Sequence, residues 1–299
     1  MKLFKQRELI KDLLKNDKNL IIAEGEVLIS IQRKELEMLD DINAICQKNG
    51  IDIFLGGGSL LGAIRHGGFI PWDDDIDLNI PRKFVDKFIE LIELNFKQKY
   101  VIQYNNKNMI CPFIKIKMNG TIIKGPLDNN SENGVCIDIF IIENVPNSII
   151  ERYFFGMVCT TKLFFLSCLN VYKNDNRLYL NVVKQSTISY INYLFKRTLG
   201  LLWSKKEYYV RAIECDKLFS KYKDVDTKMV CIPTGRKHYF GELYSKNMFS
   251  ENKIIKFEKI SCKVPVQYDK YLKNLYGDDY MKIPEEEKRE HHYMVEYKL

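Results

Sequence analysis

Leu55-Gly56-Gly57-Gly58-Ser59-Leu60-Leu61-Gly62-Ala63-Ile64-Arg65-His66-Gly67-Gly68-Phe69-Ile70-Pro71-Trp72-Asp73-Asp74-Asp75-Ile76-Asp77 is the stretch on which the reading of this chain turns. Ile51 to Leu55 reads as a strand running into three glycines. Ser59 is a good N-cap, so a short helix is expected over Leu60 to Arg65, stopped by His66-Gly67-Gly68. Phe69 to Trp72 is a loop, and Asp75 to Ile80 is a second strand with strict alternation. Backbone N–H groups at such a strand-to-helix turn can cradle a phosphate, which makes Gly57, Gly58 and Ser59 candidate substrate-binding residues. No Gly-Lys-Ser/Thr follows, so the turn is not a P-loop of the Walker type.

Residues two apart on a strand share a face. Asp75, Asp77 and Asn79 therefore point one way, and Ile76, Leu78 and Ile80 the other. Carboxylates side by side repel, and a hard divalent cation relieves that repulsion. Asp138 is the one charge in Val135-Cys136-Ile137-Asp138-Ile139-Phe140-Ile141-Ile142, a run expected to be buried on both faces, where a lone carboxylate is costly. If its strand lies beside that of Asp75, a spacing of about 4.8 Å brings three carboxylates together. That convergence suits phosphoryl transfer between two ions about 3.5–4 Å apart. Asp75, Asp77 and Asp138 are thus the expected catalytic and metal-ligating residues, with Mg²⁺ or Mn²⁺ as cofactor. An acidic triplet alone is often a solvated turn, so Asp73 and Asp74 are given only loop or supporting roles.

Outward from this stretch, helices are expected over Glu35–Lys48, Pro81–Phe96 and Tyr268–Tyr276. Strands are expected at Phe113–Met118, Thr121–Lys124, Val135–Ile142, Met229–Pro233 and Glu258–Val264, with a turn at Asn129–Gly134. Residues 148–225 read as helical, aromatic and basic. The fold class is α+β. Hydrophobic residues make up 46% and charged residues 28%, with 18 Tyr and 17 Phe, the balance of a chain that builds a sizeable core rather than a disordered one. The eight cysteines have no C-x-x-C spacing and read as reduced core residues. Met1 to Glu8 is charged and lacks the apolar run of a signal peptide, so a cytoplasmic location is expected.

Residues 148–225 hold 13 Lys or Arg against 6 Asp or Glu, a surplus equal to the whole chain's +7. An anionic partner is expected there. Nucleic acid is disfavoured, because the charge is interleaved with apolar runs and no nucleic-acid motif is present. Tyr153 to Val171 is strongly apolar but has Lys162 at its centre, which reads as a core or interfacial helix rather than a span. Lys196 to Lys206 reads as a basic amphipathic patch for peripheral contact with the inner face of an anionic membrane. Arg65 is placed to clamp a phosphate. Arg289, His291 and His292 are candidates to reach the site from the C-terminus, with a phosphate or base role given to His291. Four histidines without a cysteine pair do not make a zinc site.

The glycine turn and acidic run together resemble the LicD family, whose catalytic core is like that of nucleotidyltransferases of the polymerase-beta type. The resemblance continues at Ile137-Asp138-Ile139-Phe140. It returns at Tyr276-Gly277-Asp278-Asp279-Tyr280-Met281, with Ile283-Pro284 and Glu286-Glu287-Lys288-Arg289. It implies one domain over 1–299: a nucleotidyltransferase-like mixed sheet flanked by helices (core about 35–147 and 226–299), with a helical basic insertion at about 148–225. It also implies transfer of phosphocholine from CDP-choline to a sugar hydroxyl of a surface glycan. The related fukutin-like proteins imply other phosphoalcohols from CDP donors. With a choline donor, Trp72 would face the ammonium through a cation–π contact. The alternative is a nucleotidyltransferase that moves NMP onto a small acceptor.

Overall fold

The computed structural model describes residues 20–107, 109, 111–125, 134–173, 177–184 and 186–299. Met1 to Glu8, and all of the expected Asn129–Gly134 turn except Gly134, lie outside them. The chain opens with β1 (Ile21–Ile22) and α1 (Gly25–Lys48). This helix starts ten residues before the expected Glu35. Leu28, Ile31, Glu35, Met38, Leu39, Ile42 and Cys46 continue a single buried stripe at helical spacing.

β2 (Phe54–Leu55) leads into α2 (Gly57–Arg65), followed by β3 (Ile76–Pro81) and α3 (Val85–Phe96). Then come β4 (Tyr100–Gln103), β5 (Ile114–Met118), β6 (Ile122–Lys124) and the long β7 (Cys136–Val145). The sheet runs β2-β3-β7-β5-β4 and is mixed: β3 and β7 are parallel, and the other pairs are antiparallel. β7 is at its centre, but it is not buried on both faces as expected: Ile137, Ile139 and Ile141 are buried on one face, while Asp138 and Phe140 on the other are half-buried and line a cleft. The α+β class with a mixed sheet flanked by helices is therefore observed.

The insertion comprises α4 (Ile149–Lys173), α5 (Arg177–Lys184), α6 (Thr187–Trp203) and α7 (Tyr208–Phe219). It is anchored to the sheet rather than tethered beside it. Phe155, Cys159 and Leu166 of α4 and Ala212, Cys215 and Phe219 of α7 join the main core. A partly buried ion cluster adds to this. Arg82 donates to both Glu143 oxygens and, at 2.6 Å, to Asp216 of α7, with the Tyr104 hydroxyl 2.7 Å away. α4 is long and apolar enough to cross a bilayer. Its inward residues are committed to the protein core, however, and Lys162 lies over the Trp203 ring at 5.1 Å.

β8 (Met229–Cys231) pairs with the end of β7, α8 (His238–Gly241) follows, and β9 (Leu243–Ser245) pairs with β8. The strand expected at Glu258–Val264 is instead a hairpin of β10 (Asn252–Phe257) and β11 (Ile260–Pro265). Glu258 sits in its turn at φ +53°, a left-handed conformation that no strand residue takes. α9 (Tyr268–Tyr276) has the expected bounds. β12 (Tyr293–Met294) pairs with β1, and β13 (Glu296–Lys298) with β6, so the C-terminal segment is stitched to the strand before α1 and to the strand after β5.

Candidate active site

The glycine turn is shaped by what lies beneath it. α2 begins at Gly57 with Gly56 as its N-cap, so Ser59 is not the cap. Ser59 is inside the helix and buried, and its Oγ accepts the backbone N–H of Asp77 at 2.8 Å. It holds the acidic strand from behind and does not face the cleft, which corrects its expected place on the phosphate-binding surface. Gly57 has φ +40°, and a Cβ there would sit 2.2 Å from Asp77 Oδ2. A Cβ on Gly56 would meet Asn79 Nδ2 at 2.6 Å. These glycines are required because β3 presses its polar side chains against the turn. Gly57 N–H donates to the Tyr271 hydroxyl at 3.3 Å, and the Gly58 N–H favours the charged form of Asp77. The Gly57 N–H expected to help cradle a phosphate is thus bonded within the protein. Gly57→Ala is expected to displace Asp77 and lower turnover by at least about 100-fold while destabilising the fold by roughly 1–3 kcal/mol. Unchanged turnover in that variant would contradict this role for the turn.

In the parallel β3–β7 ladder Asp77 is directly opposite Asp138, and on the other side of β7 Asp138 is opposite Lys115. Lys115 Nζ lies 2.5 Å from Asp138 Oδ1. The buried-strand aspartate is therefore compensated by an amine that the sequence reading did not single out. The cue was present in the alternation Ile114-Lys115-Ile116-Lys117, which aims Lys115 at one face of a central strand.

Asp73, Asp75, Asp77 and Asp138 line one cleft of about 630 Å³, together with Gly57, Gly58, Arg65 and Trp72. Burial is the main cause that pushes the Asp73, Asp75 and Asp77 carboxyls above the usual carboxylate range, and mutual repulsion adds to it. Asp73 is pushed up by burial and by the charges of Asp75 and Asp77, and it lines the same cleft. It belongs to the cluster and is not merely a loop residue. Below the cluster, Glu35 of α1 is 1% exposed, and its Oε2 has no hydrogen-bond partner. Burial first, then Asp75, hold its carboxyl well above the ordinary range. One turn earlier, Gln32 donates to the Asp73 carbonyl at 2.8 Å.

Four carboxylates with this mutual repulsion form an oxygen donor set that suits hard divalent ions. As placed, no group of three His, Cys, Asp or Glu among the described residues surrounds a common point. Lys115 holds Asp138, and His292 holds Asp74 at 2.7 Å, so neighbouring cations supply the compensation.

The remaining candidates separate. Arg65 lines the cleft, but its guanidinium donates to the Tyr280 carbonyl at 3.0 Å, the Lys282 carbonyl at 3.3 Å and His66 Nε2 at 2.9 Å. It secures the loop after α9, which limits what it can offer a phosphate. Trp72 lines the cleft with the Arg289 guanidinium 4.3 Å from its ring centroid. A cation thus already sits over the ring, and Arg289 reaches the site through Trp72. His291 faces a separate depression with Ile22, Glu285, Glu286 and Glu287. The histidine that meets the acidic run is its neighbour, His292. The Asp74 hydrogen bond raises His292 to about 10, with Asp75 adding to the effect. The sequence reading also missed Arg236 on the opposite wall, which stacks on Tyr276 at 5.2 Å and pairs with Glu290 at 2.9 Å.

Comparison with known proteins fits this geometry. Residues 50–161 match the family model described as LicD/FKTN/FKRP, nucleotidyltransferase domain. The chain is 28% identical over 274 residues to the lipopolysaccharide cholinephosphotransferase LicD of Haemophilus influenzae, covering 87% of this chain and 94% of that protein. It is 56% identical over 36 residues to the ribitol 5-phosphate transferase FKRP of human and of mouse, covering 12% of this chain and 7% of each relative. The matched region holds the glycine turn, the acidic run and the β7 aspartate that together build the cleft. Residues 50–161 thus resemble the LicD/FKTN/FKRP nucleotidyltransferase domain, and the likeness to the Haemophilus influenzae cholinephosphotransferase extends over most of the chain.

Proposed function

We propose that this phosphotransferase moves phosphocholine, or a similar phosphoalcohol, from a CDP-linked donor to a sugar hydroxyl of a cell-surface glycan or its lipid-linked precursor, releasing CMP. The register that sets Asp77 opposite Asp138 in a carboxylate-lined cleft is the observation that carries this reading. The relatives named for cholinephosphate and ribitol 5-phosphate transfer support the phosphoalcohol class.

Asp75, Asp77 and Asp138, with Asp73 beside them, would hold two Mg²⁺ or Mn²⁺ ions. When bound, such ions neutralise charge on the donor phosphates and on the departing CMP. Asp138, steadied by Lys115, takes the proton of the acceptor hydroxyl. The cytoplasmic, inner-membrane side is the proposed location, and the eight free cysteines support a reducing compartment.

A panel of CDP-alcohols with Mg²⁺ or Mn²⁺ tests the reading by release of free CMP. Metal-dependent CMP from at least one CDP-alcohol is the expected result. Pyrophosphate release from a nucleoside triphosphate, with no CMP from any CDP-alcohol, would instead establish the NMP-transfer alternative.

A further inference from the structure

We propose that the outward face of α6 is a membrane-contact surface that seats the protein on an anionic bilayer. An ordinary surface helix turns its apolar stripe inward and its polar face to water. α6 does the reverse. Ile188, Ile191, Leu194 and Phe195, and one further turn past Thr198 Leu201 and Leu202, fall at helical spacing along its outer face, with exposures from 43% at Leu194 to 71% at Ile188. Its inner face carries Ser189, Tyr193 and Gly200. A Cβ on Gly200 would stand 2.2 Å from the Cys168 carbonyl oxygen. That close approach to α4 fixes the rotation of α6 and leaves the apolar stripe outside. From Ile188 to Leu202 the stripe is about 22 Å long, interrupted on its exposed face by Thr198. Scattered apolar residues on a surface need no explanation, but a row of this length does.

Charge selects the occupant. No acidic residue occurs between Ser186 and Lys206, whereas Lys196, Arg197, Lys205 and Lys206 do. Lys196 bonds Ser167 Oγ, Arg197 bonds the Tyr193 hydroxyl, and Lys206 pairs with Glu214, so these three are held at the flanks of the helix. The surrounding insertion carries the whole positive excess of the chain. A second copy would bring the same positive charge against this face, whereas anionic lipid headgroups complement it. An apolar stripe edged by basic residues is the form of a helix that lies in the bilayer interface. This inference does not depend on the reaction assigned to the cleft.

Flotation of the full chain with vesicles of phosphatidylcholine, alone or mixed with phosphatidylglycerol, tests it. Cosedimentation is expected with the mixed vesicles and to be weakened by salt. The Phe195→Glu/Leu202→Glu variant changes two exposed side chains, so it should fold and turn over soluble donor as the parent does. Its vesicle affinity is expected to fall by roughly 100-fold or more. Lys205→Gln/Lys206→Gln should weaken binding to mixed vesicles and leave the apolar stripe intact. The proposal is overturned if the parent does not bind mixed vesicles, or if the Phe195→Glu/Leu202→Glu variant binds them equally well. It is likewise overturned if light scattering shows a lipid-free dimer that this variant dissolves, since a second copy would then cover the face.

Discussion

Replacing Asp77 with Asn is expected to lower turnover by at least about 10³-fold while leaving the metal-free protein as stable as the parent or more so. The two halves of this expectation come from one geometry. Asp77 is half-buried next to Asp75 and across the ladder from Asp138, and its carboxyl is held well above the ordinary range by desolvation in the cleft and by both neighbours. Its ionised form is therefore unfavourable in the folded state unless a cation joins it. Asn keeps the shape and an oxygen that can accept the Gly58 N–H, but removes the repelling charge. A residue retained for packing would behave oppositely, with lost stability and modest loss of activity. Turnover and thermal melting on the same preparation check this. A variant that is active, or one that melts well below the parent without metal, would contradict the assignment.

Divalent metal is expected to stabilise the protein more as pH rises. Asp73, Asp75 and Asp77 all have folded-state pKa values raised above the ordinary 3.8, chiefly by burial. A group raised on folding contributes stability that is fully present below its unfolded pKa and lost as pH climbs through the folded value. The metal-free chain should therefore lose stability from this cluster as pH rises above about 4 and through the raised folded values. Exposed pairs such as Glu214 with Lys206 and Arg211 have lowered carboxylate pKa values and the opposite sign. The diagnostic is thus the difference between the parent and Asp77→Asn, whose pH dependence should be flatter. A divalent ion binds the deprotonated carboxylates, so its affinity rises over the same window. At 100 times its dissociation constant it adds about 2.7 kcal/mol. Melting curves with chelator and with Mn²⁺ across this range measure the effect. Identical curves at every pH would show that the cluster does not hold a metal.

The sheet and its acidic strand were legible because alternation and burial speak directly in the sequence. Asp77 and Asn79 alternate with isoleucine and leucine, and Asp138 interrupts an apolar run that only a central strand explains. The pairing of those two strands follows from the charge having nowhere else to go. Other parts depend on contacts between distant segments, which local pattern does not encode. Lys115 reaches Asp138 across a strand pairing, and His292 reaches Asp74 over 218 positions. Choosing His291 over His292 was a one-residue ambiguity in a segment with no periodicity. Ser59 was read as a cap because its type favours that position. Three glycines let the helix start earlier, and Ser59 was left to support Asp77 from within. In the sequence Glu35 marks only the start of the expected helix; the three-dimensional placement puts it on the buried stripe of α1, within reach of the charges of Asp73 and Asp75.

The central claim is transfer of the alcohol-bearing phosphate to a glycan at the Asp77–Asp138 cleft. The most direct measurement uses a CDP-alcohol labelled in the phosphate next to the alcohol, an acceptor glycan and Mg²⁺ or Mn²⁺, with Asp77→Asn as control. Label should appear on the glycan together with unlabelled CMP, and neither should form with the variant or with chelator. Label remaining on free phosphoalcohol while CMP becomes attached to the acceptor would contradict the account.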